Sequence, residues 1–287
     1  YNNTEYKLSE TGTDFGIFGN PDLQPETTIS YELGLRQEIG YKMKAEIKGF
    51  YRDARNYVTS GIPIDLGDGK SYYTYVNKDY SNSRGIILML LKQLSGYIGW
   101  QFDYTYQIAE GSNSNPNEEF GAVLAGKEPT RSIIPLDWDQ THNLNGSLTT
   151  VYKNWGMNTI FQYGSGYPYT PFITNYDQQG EVLSNVLLRN SRRKLSTFRV
   201  DAKIYKNFNL GNINGKIHLS IYNLTDRRNE NYIYGDSGRA NETIEKTRAH
   251  VISPFEPLRP NTLNDFFNRP DWYDEPREIQ LGIQLSW

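Results

Sequence analysis

Apolar and polar residues alternate with a period of two along most of the chain, whereas the 3.6-residue spacing of an amphipathic helix is hard to find. Between residues 98 and 108, every second position is apolar or aromatic, and the positions between them are polar or glycine. Segments 141–153, 195–209 and 277–287 alternate in the same way at most positions. Because successive side chains of a strand point to opposite faces, each of these segments predicts a β-strand with one dry face and one wet face.

Nine such strands are predicted along the chain. Their approximate bounds are 28–40, 42–54, 72–94, 97–109, 141–153, 156–165, 195–209, 213–225 and 277–287. Glycine, asparagine, proline and aspartate concentrate between these segments, which is where turn chemistry requires them. The chain is therefore predicted to be all-β.

The connections between the predicted strands differ in length according to their order. Those after the first, third, fifth and seventh strands are short, and those after the even-numbered strands are long, at about 55–71, 110–140, 166–194 and 226–276. Transmembrane barrels have short periplasmic turns and long extracellular loops, whereas a soluble β-sandwich has no reason to sort its loops in this way. The pattern favours a transmembrane antiparallel β-barrel whose dry face meets lipid. The alternative is a soluble β-protein with aromatic caps on its core.

Aromatic residues near the short connections support the membrane interpretation. Tyr152, Phe208 and Trp287 are the apolar-face residues nearest the predicted lower turns, and Tyr41 lies just across the first turn. Amphipathic rings at one depth are favoured by the headgroup layer of a bilayer. We therefore predict that Tyr41, Tyr152, Phe208 and Trp287 belong to a membrane girdle.

Composition narrows the functional classes. The 287 residues carry a formal net charge of -3, so no strong positive field draws the chain to nucleic acid. Cysteine is absent, which excludes disulfides, thiolate metal sites and cysteine nucleophiles. The longest apolar run, Gly85 to Leu91, is far shorter than the roughly 20 residues of a membrane helix. A mean hydropathy of -0.69 together with 23 tyrosines suits a barrel with a polar lumen and aromatic girdles.

The odd number of predicted strands bears on how the chain is organised. Bacterial barrels have an even number of strands, so both ends of a barrel lie on the periplasmic side. Nine strands that finish in the periplasm place residues 1–27 outside the cell, as the remnant of an extracellular loop, and residues 28–287 as barrel strands. We therefore expect the chain to be the carboxy-terminal part of a larger barrel, whose other strands pair its edges, since unpaired edges are costly in hydrocarbon.

Seven motifs in consecutive order resemble those of the TonB-dependent outer-membrane receptors. They are "GNPDLQPETTISYELGL", "YVNKDYSNSRGIIL", "PLDWDQTHNLNGSL", "GSGYPYTP", "STFRVDAKIYKNF", "IHLSIYNLTDRRNENYIY" and "PREIQLGIQLSW". The resemblance covers Gly19 to Trp287, and its motif style is closer to the large receptors of Bacteroidota-like bacteria than to small siderophore receptors.

The resemblance implies a 22-stranded barrel in the cell outer membrane, of which this chain forms about the last nine strands. Expected partners are the outer-membrane lipid and lipopolysaccharide, the amino-terminal plug and remaining strands of the same receptor, and the TonB complex acting through that plug. A surface lipoprotein is a candidate partner. In the implied mechanism, surface loops capture a scarce solute, the plug blocks the lumen, and TonB pulls the plug with energy from the inner-membrane proton gradient.

Catalytic and metal-binding residues are not predicted. His142 lies near Asp137 and Asp139, but it shares the strand face of Leu144 and is expected to be a hydrogen-bonded residue at the outer rim. Asp65 and Asp68 lack the ligand spacing of a known calcium loop and are expected to form a turn. No cofactor is expected. Two other functions stay open: a smaller, complete outer-membrane barrel hydrolase, and a structural or adhesin surface barrel.

Aromatic residues in the long connections are the candidates for contact with a solute. Rings stack on sugars and peptides alike, so they leave the solute open. The predicted ligand-binding residues are Tyr72, Tyr73, Phe172, Tyr176, Phe266, Phe267, Trp272 and Tyr273.

Overall fold

The computed structural model describes residues 17–62, 64–67, 70–112, 133–176, 182–186, 189–246 and 263–286. Strands dominate these residues. The strands before residue 140 are β1 (Ile17–Phe18), β2 (Thr27–Glu38), β3 (Met43–Ser60), β4 (Ile64–Gly67), β5 (Lys70–Ser95), β6 (Ile98–Gly111) and β7 (Ile134–Pro135). Those after it are β8 (His142–Tyr152), β9 (Trp155–Gly164), β10 (Pro168–Tyr169), β11 (Phe172–Tyr176), β12 (Val182–Val186), β13 (Arg192–Arg193), β14 (Thr197–Leu210), β15 (Ile213–Tyr222) and β16 (Glu278–Ser286).

Helical structure is short in the described part of the chain. It includes helix α1 (Leu263–Phe267), a 3-10 helix (Pro270–Trp272) and helical residues 244–246. Among these residues, no helix has both the length and the apolar character needed to cross a membrane.

Nine long strands correspond to the nine predicted from the sequence: β2, β3, β5, β6, β8, β9, β14, β15 and β16. Most ends agree within about two residues, but β3 continues to Ser60, beyond its predicted end at residue 54. Short strands β4, β7 and β10 to β13 lie within the long connections. The all-β prediction is confirmed.

The chain divides into two compact units. Unit 2 comprises residues 33–49, 85–108 and 139–287. The nine long strands, of which β2, β3, β5 and β6 have residues in both units, follow the order β16-β15-β14-β9-β8-β6-β5-β3-β2. Each long strand thus lies beside its predecessor and successor among the long strands. The pairs from β6 to β16 are antiparallel. This meander is the arrangement that short and long connections in alternation require.

One face of the unit 2 sheet is apolar and open. The register aligns Ile204 with Leu219, and Leu219 with Leu281, in a row across three strands. Leu33 is 83% exposed and Leu281 is 73% exposed. Apolar side chains exposed in continuous rows are disfavoured in water, and a hydrocarbon environment removes that cost. The face has the chemistry of a lipid-facing barrel wall.

The opposite face of unit 2 is polar. Asp103, Asn145, Gln162 and Arg199 are successive register partners across four strands. Arg199 pairs with Asp201 at 3.0 Å, and Asp201 also accepts the backbone N–H of Asn223. The sequence prediction of a wet face therefore agrees with the observed pairing.

Aromatic rings lie on glycines at four successive strand interfaces of unit 2. Each ring and its glycine are direct register partners: Phe161 on Gly146, Tyr205 on Gly156, Phe208 on Gly215 and His218 on Gly282. In all four glycines a Cβ atom would lie within about 2.5 Å of the ring. From β8 to β16 the four contacts alternate between the apolar and the polar face. Each of these strand interfaces therefore has one ring–glycine contact, on one of its two faces.

Unit 1 comprises residues 1–32, 50–84 and 109–138, and Asn77 ties its described part together. The Asn77 amide donates to the carbonyls of Gln24 (2.9 Å) and Asn56 (2.7 Å), and its oxygen accepts the N–H of Gln24 at 2.7 Å. Asn20 donates to the carbonyl of Tyr75. These bonds explain why a segment rich in turn residues, 19–26, lies against β5 without forming a ladder of its own.

Candidate functional site

The connection between β15 and β16 contains an aromatic cluster formed by Tyr232, Tyr234, Phe266, Phe267 and Trp272. The Tyr234 and Trp272 ring centroids are 4.6 Å apart, Phe266 meets Phe267 edge-on at 5.1 Å, and Tyr232 lies 6.3 Å from Trp272. Phe267 is buried at the base, whereas Phe266 is 71% exposed. The cluster therefore combines a packed base with an exposed aromatic surface.

Buried asparagines hold this connection against the end of β14. Asn229 accepts the N–H of Phe198 at 2.9 Å and donates to its carbonyl at 3.1 Å. The Asn229 amide also donates to Asp274. Asn223 donates to the carbonyls of Arg227 and Glu275, so both ends of the connection are fixed. A strand end thereby positions an aromatic cluster assembled from residues about 40 apart in sequence.

Charged groups flank the exposed side of the aromatic cluster. The Arg269 guanidinium lies 5.1 Å from the Trp272 centroid and pairs with Asp271 at 3.1 Å. The hydrogen bond from Arg269 lowers the pKa of Asp271, and the same bond raises the pKa of Arg269. Both groups stay charged at neutral pH, so the cluster presents a cation stacked on an indole.

Burial raises the pKa of two tyrosines in this connection, Tyr234 and Tyr273. Burial raises the pKa of Tyr234, whose hydroxyl donates to the Phe267 carbonyl at 3.2 Å. Burial is also the largest cause that raises the pKa of Tyr273, followed by the charge of Glu230. Both phenols are therefore neutral at physiological pH, and Tyr234 is a hydrogen-bond donor.

A polar cavity of about 390 Å³ lies in the same connection. It is lined by Ser237, Asn241, Glu242, Thr243, Ile244 and Lys246. Asp236 shapes its wall by accepting the Thr243 hydroxyl (2.8 Å) and the N–H of Ile244 (2.6 Å). Next to this turn, Arg239 pairs with the buried Glu230 at 3.1 Å. The cavity offers hydroxyl, amide and charged groups to a polar ligand.

The structure gathers part of the predicted ligand-binding set. Phe266, Phe267 and Trp272 belong to the aromatic cluster, Tyr273 bridges to Glu230 beside it, and the Phe172 ring lies against Gly235. Tyr72 and Tyr73 lie in unit 1, with Tyr72 6.0 Å from Phe18 and Tyr73 buried. The side chain of Tyr176 lies outside the described residues.

Sequence reasoning missed Tyr232 and Tyr234, which supply two of the five rings. They follow the end of β15 in "NENYIYGD", an aromatic pair with polar neighbours inside a long connection. That signal was equal in kind to the one used for Phe266 and Phe267.

His142 and its acidic neighbours do not form a catalytic arrangement. The Tyr104 hydroxyl is hydrogen-bonded to His142 Nδ1 at 2.8 Å, and the two rings are stacked. Asp139 is buried and pairs instead with Arg193. Among the residues described, no group of three or more His, Cys, Asp or Glu side chains could hold a metal ion. His142 is thus a hydrogen-bonded strand residue, as its position predicted.

Three of the four predicted girdle residues lie at the short-turn end of unit 2. Tyr41 and Tyr152 are exposed beside the β2–β3 and β8–β9 turns, and Phe208 is half-buried over Gly215 near the β14–β15 turn. A hydrogen bond with Ser95 lowers the pKa of Tyr41. Trp287 lies outside the described residues.

Comparisons with known proteins give a family and a fold. The sequence model of a family described as "TonB dependent receptor-like, beta-barrel" matches residues 1–224. An iron-regulated outer membrane virulence protein of Vibrio cholerae is 29% identical over 167 residues, which is 53% of this chain but 25% of that protein.

Solved structures agree on the fold. The outer membrane transporter YddB from Escherichia coli superposes with a TM-score of 0.55 and 13% identity over 75% of this chain and 31% of its own. FpvA from P. aeruginosa, bound to heterologous pyoverdines, gives a TM-score of 0.51 and 10% identity over 91% of this chain and 27% of its own. The chain thus spans about a quarter to a third of the proteins it matches.

Proposed function

Because the chain belongs to the TonB-dependent receptor-like β-barrel family, we propose that it forms wall and surface loops of a receptor that takes up a scarce solute across the outer membrane. Members of this family are outer-membrane β-barrel transporters and not enzymes. In the proposed mechanism a plug blocks the lumen and the TonB complex pulls on it. The long connections lie outside the cell and meet the solute first.

The aromatic cluster is the main observation that supports this proposal. Phe266 is held from one side by Phe267 and leaves its other face open, and Arg269 adds a cation stacked on Trp272. Such a surface binds a planar or aromatic solute by stacking, at about 0.5–1.5 kcal/mol for each ring pair, and an anionic group of the solute can replace Asp271 as the partner of Arg269. The polar cavity next to it suits the hydroxyl or amide groups of the same solute.

Ferric chelates are the first solutes to test. The Vibrio cholerae relative is iron-regulated, and FpvA was solved with an iron–pyoverdine complex. Many aromatic and anionic chelators match the ring surface and the Arg269 cation in chemistry. The proposed solute class is therefore a ferric complex of an aromatic, anionic chelator.

The test measures binding and uptake by the full-length protein. We expect Phe266→Ala to raise the Kd for a ferric catecholate chelate about three- to tenfold, the range of one or two lost stacking contacts. Phe266 is exposed, so the fold should persist. The matched control is Tyr31→Ala, which removes an equally exposed ring from the apolar face of β2 and should leave Kd unchanged.

Uptake of iron-55 from the same chelate should stop when TonB is deleted. Uptake that continues without TonB would contradict the transport mechanism. An unchanged Kd in Phe266→Ala would instead contradict the role of the aromatic cluster.

A further inference from the structure

The short-turn end of unit 2 carries an exposed group of lysines and aromatic rings on its apolar face. We call it the lysine–aromatic patch and define it as Tyr97, Tyr152, Lys153, Trp155 and Lys206. Tyr97 is 65% exposed, and Tyr152 and Trp155 are about half exposed. The patch lies where the apolar wall meets the turns, at the end opposite to the long connections.

Strand register brings the patch together. Trp155 is the register partner of both Tyr152 on β8 and Lys206 on β14. The Lys206 ammonium lies 4.9 Å from the Trp155 ring centroid, and the Lys153 ammonium lies 5.4 Å from that of Tyr152. Tyr97 packs edge-on against Tyr152 at 5.4 Å. Two ammonium groups are thus held over rings on one continuous exposed surface.

The sequence leaves this positive charge without nearby acidic residues along its strands. Segments 85–102, 142–164 and 202–217, which include this end of the six neighbouring strands β5, β6, β8, β9, β14 and β15, contain no aspartate or glutamate. A lysine on a lipid-facing surface is costly unless its head reaches the headgroup layer, which its long stem allows. An anionic group in that layer is the complement that the patch lacks.

Turn geometry gives independent support. Lys153 has a φ of +52°, and Lys42 in the β2–β3 turn has a φ of +55°. Glycine or asparagine adopts this left-handed conformation with less strain than lysine does. In both turns the lysine follows a tyrosine and its ammonium lies over that ring, at 5.2 Å for Lys42 and Tyr41. The Tyr–Lys pair is therefore repeated at a position where turn formation alone favours another residue.

We propose that the lysine–aromatic patch binds the headgroup phosphate of an anionic phospholipid in the periplasmic leaflet of the outer membrane. Lys153 and Lys206 contact the phosphate, while Tyr97, Tyr152 and Trp155 lie at the level of the glycerol and upper acyl chains, where amphipathic rings are favoured. The proposal rests on the outer-membrane barrel fold and on short turns facing the periplasm, and not on the identity of the transported solute.

Native mass spectrometry of the full-length protein in detergent tests this. The probes are phosphatidylglycerol, phosphatidylethanolamine with the same acyl chains, and inorganic phosphate as a competitor. We expect phosphatidylglycerol to bind preferentially, and Lys153→Gln with Lys206→Gln to reduce its occupancy by about tenfold or more at low salt. Inorganic phosphate at equal concentration should not displace the lipid, because it lacks the acyl chains.

The matched control is Lys203→Gln with Lys216→Gln, which removes two lysines from the polar face of β14 and β15. Lys216 also lies over a ring, that of Tyr205 at 4.1 Å, so the control preserves the type of contact removed. Heat-modifiable migration in gels confirms that both variants are folded. Equal binding of the two lipids, equal losses in both double variants, or displacement by inorganic phosphate would each overturn the proposal.

Discussion

Gly146 shows at the residue scale how little space the strand interfaces leave. A Cβ atom at this position would lie 2.1 Å from the Phe161 ring. We expect Gly146→Ala to lower the free energy of unfolding by about 1–3 kcal/mol, because the ring must leave its register partner. The measurement is the guanidinium unfolding midpoint of the full-length protein in detergent micelles.

Gly49→Ala is the control, since its Cβ would meet its nearest neighbour, the Leu33 carbonyl, at 4.0 Å. Alanine is favoured over glycine inside a strand by about 0.5–1 kcal/mol. This variant should be neutral or slightly stabilised. Equal destabilisation of both variants would show that the ring contact is not the cause.

The stability of the β15–β16 connection at alkaline pH depends on the protonation of Tyr234. Burial raises its pKa above the ordinary value of 10.0. Because the folded-state pKa exceeds the unfolded one, the contribution of Tyr234 to stability is complete below pH 10 and is lost as pH rises through the folded-state value. We expect the connection to open in that range, and Tyr234→Phe to keep it closed to higher pH.

Acrylamide quenching of Trp272 reports this opening, with Trp272→Phe used to subtract the other tryptophans. Tyr97→Phe removes a hydroxyl outside the connection and should titrate like the parent protein. An identical alkaline midpoint in Tyr234→Phe and the parent would contradict the role assigned to Tyr234.

At the residue scale, the sequence predicted the surroundings of a side chain correctly where its position along a strand determines the face on which it lies. The parity of His142 with Leu144 predicted a hydrogen-bonded strand residue, and Tyr104 supplies the hydrogen bond. The sequence did not predict the ion pair between Asp139 and Arg193, for a physical reason. The two residues are 54 apart in sequence and meet through the fold of the β9–β14 connection, which no local period encodes.

The β10–β13 pair is held to the segment before β8 by the ion pair between Arg193 and Asp139. Asp139 has a side chain only 1% exposed, and Arg193 of β13 reaches it while also donating to the Gly166 carbonyl. Removing one partner of a buried pair costs about 3–5 kcal/mol. Since Arg193 itself is 38% exposed, we expect Arg193→Ala to fall at the lower end of this range.

Hydrogen–deuterium exchange of segments 133–141 and 164–172 measures the effect and should show faster exchange in both. Arg192→Ala removes the adjacent, exposed arginine and should exchange at the parental rate. Faster exchange in Arg192→Ala alone would contradict the assigned pair.

At the element scale, the period of two predicted the nine long strands because each has one face in a uniform environment. The same pattern could not place β10 to β13. Their pairing, such as Pro168 with Arg193, joins short segments that show no alternation of their own. Likewise, β3 extends to Ser60 because Gly61 bonds to Thr74 across the connection, a contact between segments that are distant in sequence.

At the scale of the whole molecule, the lengths of the connections carried more information than any single motif. Their alternation predicted an antiparallel barrel wall, and the nine long strands lie side by side in sequential order. Three of the five rings of the aromatic cluster were predicted; the cluster comes from both ends of one long connection, which the hydrogen bond from Asn229 to Asp274 holds together. The sequence shows which rings lie outside strands, but tertiary hydrogen bonds decide which of them meet.

The rings on glycines have a consequence for how this wall is assembled. A strand that slipped by two residues would keep its apolar and polar faces correct, so hydrophobicity alone would not detect the error. Such a slip would drive Phe161 or Phe208 onto a substituted position instead of Gly146 or Gly215. At these four strand interfaces the ring–glycine pairs therefore favour one register over the alternatives that lie two residues away.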